Sequence, residues 1–142
     1  IWSGVGASTR ELLVRFDRYR GENPDEYRRH LVRLKARSEQ ACAAWAEGSA
    51  GDCLTAVALY DEALRAFDHA AGIGIVTAVH EDIRRLVEGQ GAVYKTSGAG
   101  GGDFGLALTD SPERLEAVRA ACRQRGLMVL DEPFAVAGLT TD

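Results

Sequence analysis

Lys95-Thr96-Ser97-Gly98-Ala99-Gly100-Gly101-Gly102-Asp103, continued by Phe104-Gly105-Leu106-Ala107-Leu108, is the stretch on which the reading of this chain turns. Four of the nine residues in its first part are glycine. Glycine loses more backbone freedom on ordering than any other residue. Such a run is therefore expected where backbone approaches a ligand or another segment closely, or takes positive φ. Successive free N–H groups in a loop of this kind form a concavity suited to an anion. A cation precedes the glycines, and a hydroxyl and a carboxylate flank them, which together suit a phosphate-handling site.

The hydrophobic period changes on either side of this stretch. Upstream it is helical. Ser8 with Glu11 has capping-box spacing and opens a helix with Leu12, Leu13 and Phe16 inward, ending at Gly21. Asn23-Pro24-Asp25-Glu26 starts a second helix, with a stripe at Tyr27, Leu31, Leu34, Ala41 and Trp45, closed by Gly48. A third helix is expected over 52–71, where Leu54, Val57, Ala58, Leu64 and Phe67 recur at helical spacing before Gly72 and Gly74 break it. Thr77 caps a fourth helix running to 88, with Ile83, Leu86 and Val87 inward. Beyond it come a strand over 92–95, the glycine loop and a strand over 104–109. A helix then opens at Ser111-Pro112-Glu113 and ends at Gly126, followed by a third strand over 127–130 and a fourth over 134–136. Ile1-Trp2 reads as the end of a further strand. Helices segregated ahead of strands indicate an α+β fold with an antiparallel sheet, not a doubly wound parallel one.

With 142 residues, the chain reads as one domain. Its net charge of −4 argues against a nucleic-acid footprint. No basic tract suits an anionic membrane, no apolar run approaches the ~18 residues of a membrane span, and no secretory signal is visible. Cys42, Cys53 and Cys122 show no metal-ligand spacing and read as reduced thiols of a cytoplasmic protein, so no metal site is expected in the chain. The chain begins at Ile1-Trp2 without an initiator Met, in mid-pattern, as a piece of a longer protein would.

Phosphate motifs can be tested against the loop one by one. A Walker A loop ends in Gly-Lys-Ser/Thr and opens a helix, whereas here the lysine precedes the glycines. Gly100-Gly101-Gly102-Asp103-Phe104-Gly105 fits the letters of a dinucleotide fingerprint but leads into a strand, not a helix. Asp103-Phe104-Gly105 spells the protein-kinase metal triplet without that family's other signatures. What remains resembles the third conserved motif of the GHMP kinases, the superfamily of galactokinase, homoserine, mevalonate and phosphomevalonate kinases. Asp103, where mevalonate kinases usually carry another glycine, resembles the phosphomevalonate kinase branch. Trp2-Ser3-Gly4, then Ala7-Ser8-Thr9 entering a helix, is similar to a segment of the same branch. So is the order of three helices, an Ile-x-x-Thr-type stretch at Gly74-Ile75-Val76-Thr77, a helix and the glycine loop. Phe104 departs from the cysteine often found there.

The resemblance implies that residues 1–142 form a GHMP kinase C-terminal domain, a ferredoxin-like antiparallel sheet with several additional helices. It implies the acceptor-side half of an enzyme that uses ATP and Mg2+ to phosphorylate a phosphorylated small-molecule acceptor. For a phosphomevalonate kinase this is 5-phosphomevalonate, converted to the diphosphate in the mevalonate route to isoprenoids. A partner N-terminal domain would carry the ATP loop and the catalytic Asp and Lys. This chain would then hold no catalytic residue, be inactive alone, and expose an apolar patch where that domain docks. Ser8 and Thr9 would bind the acceptor phosphate at a helix start. Ser97, Gly98 and Ala99 would present a hydroxyl and N–H groups to that phosphate or to the transferring phosphoryl. Lys95, Gly100, Gly101, Gly102 and Asp103 would support the nucleotide loop, the glycines packing against the ATP loop of the other domain.

Plainer roles stand beside these. Ser8 and Thr77 serve as helix caps whatever else they do. Lys95 reads equally as a solvated strand residue, and Asp103 as a cap of the loop's own N–H groups, since a carboxylate beside phosphate is repulsive without a cation. His30, His69 and His80 read as surface or core histidines, Arg28-Arg29 and Arg84-Arg85 as solvated helix faces, and Trp2 and Trp45 as core or domain-interface anchors. Two alternative functions stay open. One is another GHMP kinase with a mevalonate, sugar or amino-alcohol acceptor, and the other a non-catalytic ferredoxin-like module that binds a small anion.

Overall fold

Side-chain caps set where the helices begin in the computed structural model, which describes residues 1–130. The Ser8 hydroxyl accepts the Glu11 N–H and opens α1, Thr9–Glu22. Pro24, whose missing N–H is not needed in a first turn, opens α2, Pro24–Glu47, which stops at left-handed Gly48. Ser49, Thr77 and Ser111 cap α3 (Ala50–Ala71), α4 (Ala78–Glu88) and α5 (Pro112–Gln124) in the same way.

α2 and α3 pack along their length as a helical hairpin. The covered side of α2 follows the 3–4 spacing of Tyr27, His30, Leu34, Arg37, Ala41 and Ala44. Leu31 and Trp45 fall one residue, about 100°, beyond that stripe. Of the two roles expected for Trp45, the core anchor is corrected and the domain-interface anchor stays open: the residue is 80% exposed and borders an open apolar groove of about 390 Å³ with Leu54, Val57 and Leu108.

β1 (Val93–Thr96) and β2 (Gly105–Leu108) pair antiparallel, Val93 opposite Leu108 and Thr96 opposite Gly105. Phe104 forms an antiparallel bridge with Trp2, flanked by bonds from the Ser3 N–H to the Asp103 carbonyl and from the Gly105 N–H to the Ile1 carbonyl, both 2.8 Å. Trp2 turns its own N–H the other way, to the Met128 carbonyl at 2.9 Å. The extended segments thus lie in the order 128, 1–3, 104–108, 93–96, the fourth-first-third-second order of a ferredoxin-like sheet. Among the described residues, the strand expected over 127–130 is reduced to that single bond with the segment 1–3. Along 1–3, alternate N–H groups face Gly105 and Asp103, leaving only Trp2 to face Met128. The strand expected over 134–136 lies outside the described residues.

Two apolar clusters result. Tyr94 and Ala107, on one face of the sheet, meet Ile83 and Val87 of α4 and Val118 and Cys122 of α5. Leu12 and Tyr19 of α1, Phe67 of α3 and Ile73 form the second, with Phe16 edge-on to Phe67 and Tyr27. Gly105 matters because the Tyr94 hydroxyl passes directly over it: a Cβ there would stand 1.9 Å from that oxygen. We expect Gly105→Ala to cost about 1–3 kcal/mol by overpacking. Gly21→Ala, in α1 with open space around it, should instead add roughly 0.5–1 kcal/mol. Urea unfolding of both variants measures the contrast, and equal effects would contradict the packing described.

Candidate functional site

The glycine loop, residues 97–103, lies where the two clusters meet. Its support begins in α3. Asp68 is buried near the helix end, and its carboxylate accepts three backbone N–H groups, from Gly74 (2.8 Å), Ile75 (2.9 Å) and Val76 (2.8 Å). Arg15 of α1 donates to the Ile73 carbonyl at 2.8 Å. Residues 73–76 are thereby fixed, and the Ile75 carbonyl accepts the Gly101 N–H at 2.7 Å. Gly100 has φ 74°, and a Cβ on it would lie 2.4 Å from the Ile75 oxygen. Gly102 has φ 151°, and a Cβ on it would lie 2.6 Å from the Val5 oxygen. The domain's own loops therefore account for glycine at both positions.

The opposite side of the loop is held by His80. Its ring is fully buried, with Nε2 2.7 Å from the Gly102 carbonyl oxygen and Nδ1 2.6 Å from the Tyr94 hydroxyl. A carbonyl only accepts, so these partners assign the proton to Nε2, and in the neutral ring the Tyr94 O–H donates to Nδ1. Burial pushes the Tyr94 hydroxyl well above the usual tyrosine range, and the negative charges of Asp61 and Cys122 push it the same way. It stays protonated, as its donor role requires.

Asp103, with φ 56°, joins the loop to the entry of α1. Its N–H donates to the Val5 carbonyl at 2.7 Å, and its Oδ1 accepts the Ala7 N–H at 3.3 Å. The carboxylate thus serves a structural bond, but to the Ala7 N–H and not to the glycine loop's own N–H groups. Ser97 donates its N–H to the Phe104 carbonyl at 2.9 Å. Gly98 and Ala99 are exposed at the tip, and their N–H groups find no acceptor among the described residues. Ser8 and Thr9 are exposed at the start of α1, next to the segment Asp103 holds. Among the described residues no hydrogen bond runs directly from Ser8 or Thr9 to residues 97–99. Lys95 is half-buried on the sheet face opposite Tyr94, with its amine donating to the Thr96 carbonyl at 2.5 Å. Among the described residues no group of three or more His, Cys, Asp or Glu side chains could hold a metal ion.

The glycine loop was visible in the sequence, but its supports Asp68, Tyr94 and Arg15 were not, and His80 was visible only as one histidine among three. Each acts across a turn or a strand and leaves no local spacing. The remaining histidines are unremarkable in position, His30 half-buried against Phe67 and His69 exposed. Arg84 departs from a solvated face, lying between Glu81 and Glu88 with only 17% of its side chain exposed.

The family model described as GHMP kinases C terminal matches residues 56–126, half of the chain, including β1, the glycine loop and β2. The chain belongs to the GHMP kinase C-terminal family. Over 136 residues this GHMP domain is 27% identical to a protein named phosphomevalonate kinase from Streptomyces sp. (strain CL190), covering 96% of the chain and 36% of that relative. The chain thus spans about a third of the relative's length. Two solved structures share the fold over 88% of the chain. They are the Lin0012 protein from Listeria innocua (TM-score 0.82, 24% identity, 35% of that protein covered) and L. major mevalonate kinase in complex with R-mevalonate (TM-score 0.78, 20% identity, 37% covered). The α+β architecture read from the sequence is that of this family. No helix among the described residues is long and apolar enough to cross a membrane.

Two outcomes follow from the site's geometry. Asp68→Asn keeps one acceptor oxygen and loses the other, leaving N–H groups of residues 74–76 short of partners, and should cost about 2–4 kcal/mol. A lowered urea midpoint measures it, and an unchanged midpoint would contradict the clamp. Burial pushes the Lys95 amine below the usual lysine range, with the Asp61 charge partly opposing. At neutral pH the amine is charged in both folded and unfolded chains, so the full penalty applies. As pH rises past the lowered folded value towards the ordinary 10.5, the folded chain releases the proton first and the penalty fades. The stability of wild type relative to Lys95→Met should therefore improve over the interval ending near 10.5, and a gap flat with pH would count against it.

Proposed function

We propose that this GHMP kinase C-terminal domain is the acceptor-side half of a phosphomevalonate kinase, which transfers the γ-phosphoryl of ATP to 5-phosphomevalonate. The observation that carries this reading is the junction at Asp103. Its N–H bonds to Val5 and its carboxylate to the Ala7 N–H, fastening the glycine loop to the segment that opens α1. Two donor-rich segments are thereby supported on one frame, the first turn of α1 behind Ser8 and Thr9 and the loop tip at Ser97, Gly98 and Ala99. An acceptor that already carries a phosphate needs one place for that anion and another for the phosphoryl it receives. The relative named phosphomevalonate kinase, similar over 96% of the chain, supports the same choice of acceptor.

In this reading the chain's residues bind and orient. The N–H groups and dipole of the first turn of α1 hold the acceptor phosphate, with the Ser8 and Thr9 hydroxyls beside it. The Ser97 hydroxyl and the free N–H groups of Gly98 and Ala99 hold the second anionic group. Phosphoryl transfer is mostly positioning and charge stabilisation, so such groups suffice for one wall of the site. The described residues do not assemble a metal site. The reading places ATP, Mg2+ and the catalytic groups on a partner N-terminal domain. The unpaired thiols Cys42, Cys53 and Cys122 suit the cytoplasmic setting proposed with it.

ADP release by the full-length protein, with 5-phosphomevalonate and mevalonate side by side, tests the reading. Turnover with the phosphorylated acceptor alone is expected. Ser97→Ala should raise the KM for that acceptor about tenfold, as for one lost hydrogen bond to a charged group. Turnover with mevalonate alone, or with neither, overturns the assignment.

A further inference from the structure

Besides the exposed donors of the proposed site, the seam holds a buried imidazole whose two nitrogens are both engaged and which touches no exposed surface. His80 reaches from α4 to the carbonyl of Gly102, and the same peptide unit turns its N–H, that of Asp103, to the Val5 carbonyl. A peptide is planar, with C=O and N–H on opposite sides. One rigid plane is thus pinned from the core by His80 and from the α1 entry by Val5. The plane sits in a glycine run that has little other preference for one conformation. If the imidazole is removed, the Gly102 carbonyl is left buried without its partner, and rotation of the plane that relieves it also breaks the bond to Val5. That bond and the Asp103 carboxylate tie the loop to the start of α1.

We propose that His80 is a positioning residue which, oriented by the Tyr94 hydroxyl, fixes the Gly102–Asp103 peptide and through it the spacing between the loop tip at 97–99 and the first turn of α1. Resting on the reading of the site as one for a phosphorylated acceptor, it makes His80 a determinant of affinity for an acceptor with two anionic groups to place. His80 touches neither group. Its effect travels through one peptide plane: the Gly102 carbonyl, which only accepts, sets the proton on Nε2, and the Tyr94 hydroxyl, lying over Gly105, holds the ring in place at Nδ1.

The test uses the full-length protein with histidine-selective ¹⁵N labelling, and the variants His80→Leu, His80→Gln and Tyr94→Phe. The His80 resonance, assigned by its loss in both His80 variants, should report a proton on Nε2 and none on Nδ1; the reverse tautomer overturns the proposal. Amide exchange at residues 98–103 should quicken about tenfold in His80→Leu, the effect of one lost hydrogen bond. Protection in α3 should be unchanged. His80→Gln, whose side-chain N–H₂ can still donate to Gly102, should restore most of the protection. Unchanged exchange in His80→Leu, or loss of protection throughout the chain, overturns it. With turnover as readout, His80→Leu should raise the KM for 5-phosphomevalonate about tenfold and leave the KM for ATP and kcat within about twofold. His80→Gln should recover acceptor affinity, and Tyr94→Phe should fall between the two. An equal loss in every parameter contradicts a positioning role. If the wild type turns over no phosphorylated acceptor, the functional reading fails, while the tautomer and exchange results still decide whether His80 sets the loop.

Discussion

The peptide between Gly102 and Asp103 is hydrogen-bonded at both ends, its carbonyl to the buried His80 ring and its N–H to the Val5 carbonyl. Much of the domain is arranged so that these bonds are possible. The ring belongs to the sheet-side cluster, because α4 packs Ile83 and Val87 against Tyr94. The loop that Gly101 bonds to belongs to the helical cluster, through Ile73 and Ile75 against Leu12 and Phe67. The glycine run lies between two separately built cores and touches both. Side chains at 100 and 102 would collide with the carbonyl oxygens of Ile75 and Val5, so backbone alone can occupy the seam.

Placing polar groups in such a seam is costly unless each is satisfied. Asp68 answers by accepting three N–H groups, and His80 and Tyr94 by sharing a bond between them. Asp61, buried beside β1, shows the other side of the balance. Desolvation outweighs its 2.9 Å contact with Arg65, and its carboxyl lies above the usual range. Asp68, His80 and Tyr94 are each bonded, so moving the loop from this arrangement leaves one of these buried groups unpaired.

The helices were legible because their signals are local. Ser8, Thr77 and Ser111 cap where a hydroxyl three residues before a free N–H should, and Pro24 and Gly48 bound α2, whereas the Ser49 cap opens α3 at Ala50, two residues ahead of the expected start at 52. The antiparallel pair and the loop between its strands were legible for the same reason, as a change of hydrophobic period. Asp68 and His80 lie on the apolar stripes of their helices, four residues after Leu64 and three before Ile83, so the period turns them inward, but it does not say what a buried carboxylate or imidazole bonds there. Their partners lie six to eight and twenty-two positions away, and only the tertiary fold brings them near. Trp45 misled because its size suggests burial, whereas the α2–α3 contact follows the smaller Ala41 and Ala44 one step round the helix. The segment at 127–130 misled because its composition is that of a strand, but the neighbour it meets is three residues long and turns one N–H towards it.

The donors at the proposed site are backbone amides, hydroxyls and the exposed Arg10 beside Ser8 and Thr9, while the other nearby cations are engaged. Lys95 gives its amine to the Thr96 carbonyl, and Arg15 gives one guanidinium nitrogen to Ile73 and places another near Glu11. Apart from Arg10, an anion held this way is selected by where the donors stand. Amide donors do not titrate in the ordinary range, so their usefulness depends on being held still. Titratable groups do that holding from inside, Asp68 beneath the 73–76 turn and His80 beneath Gly102. The exposed donors owe their placement to buried side chains, so under the proposed function substitutions at those buried positions should bear on acceptor affinity as directly as substitutions on the surface.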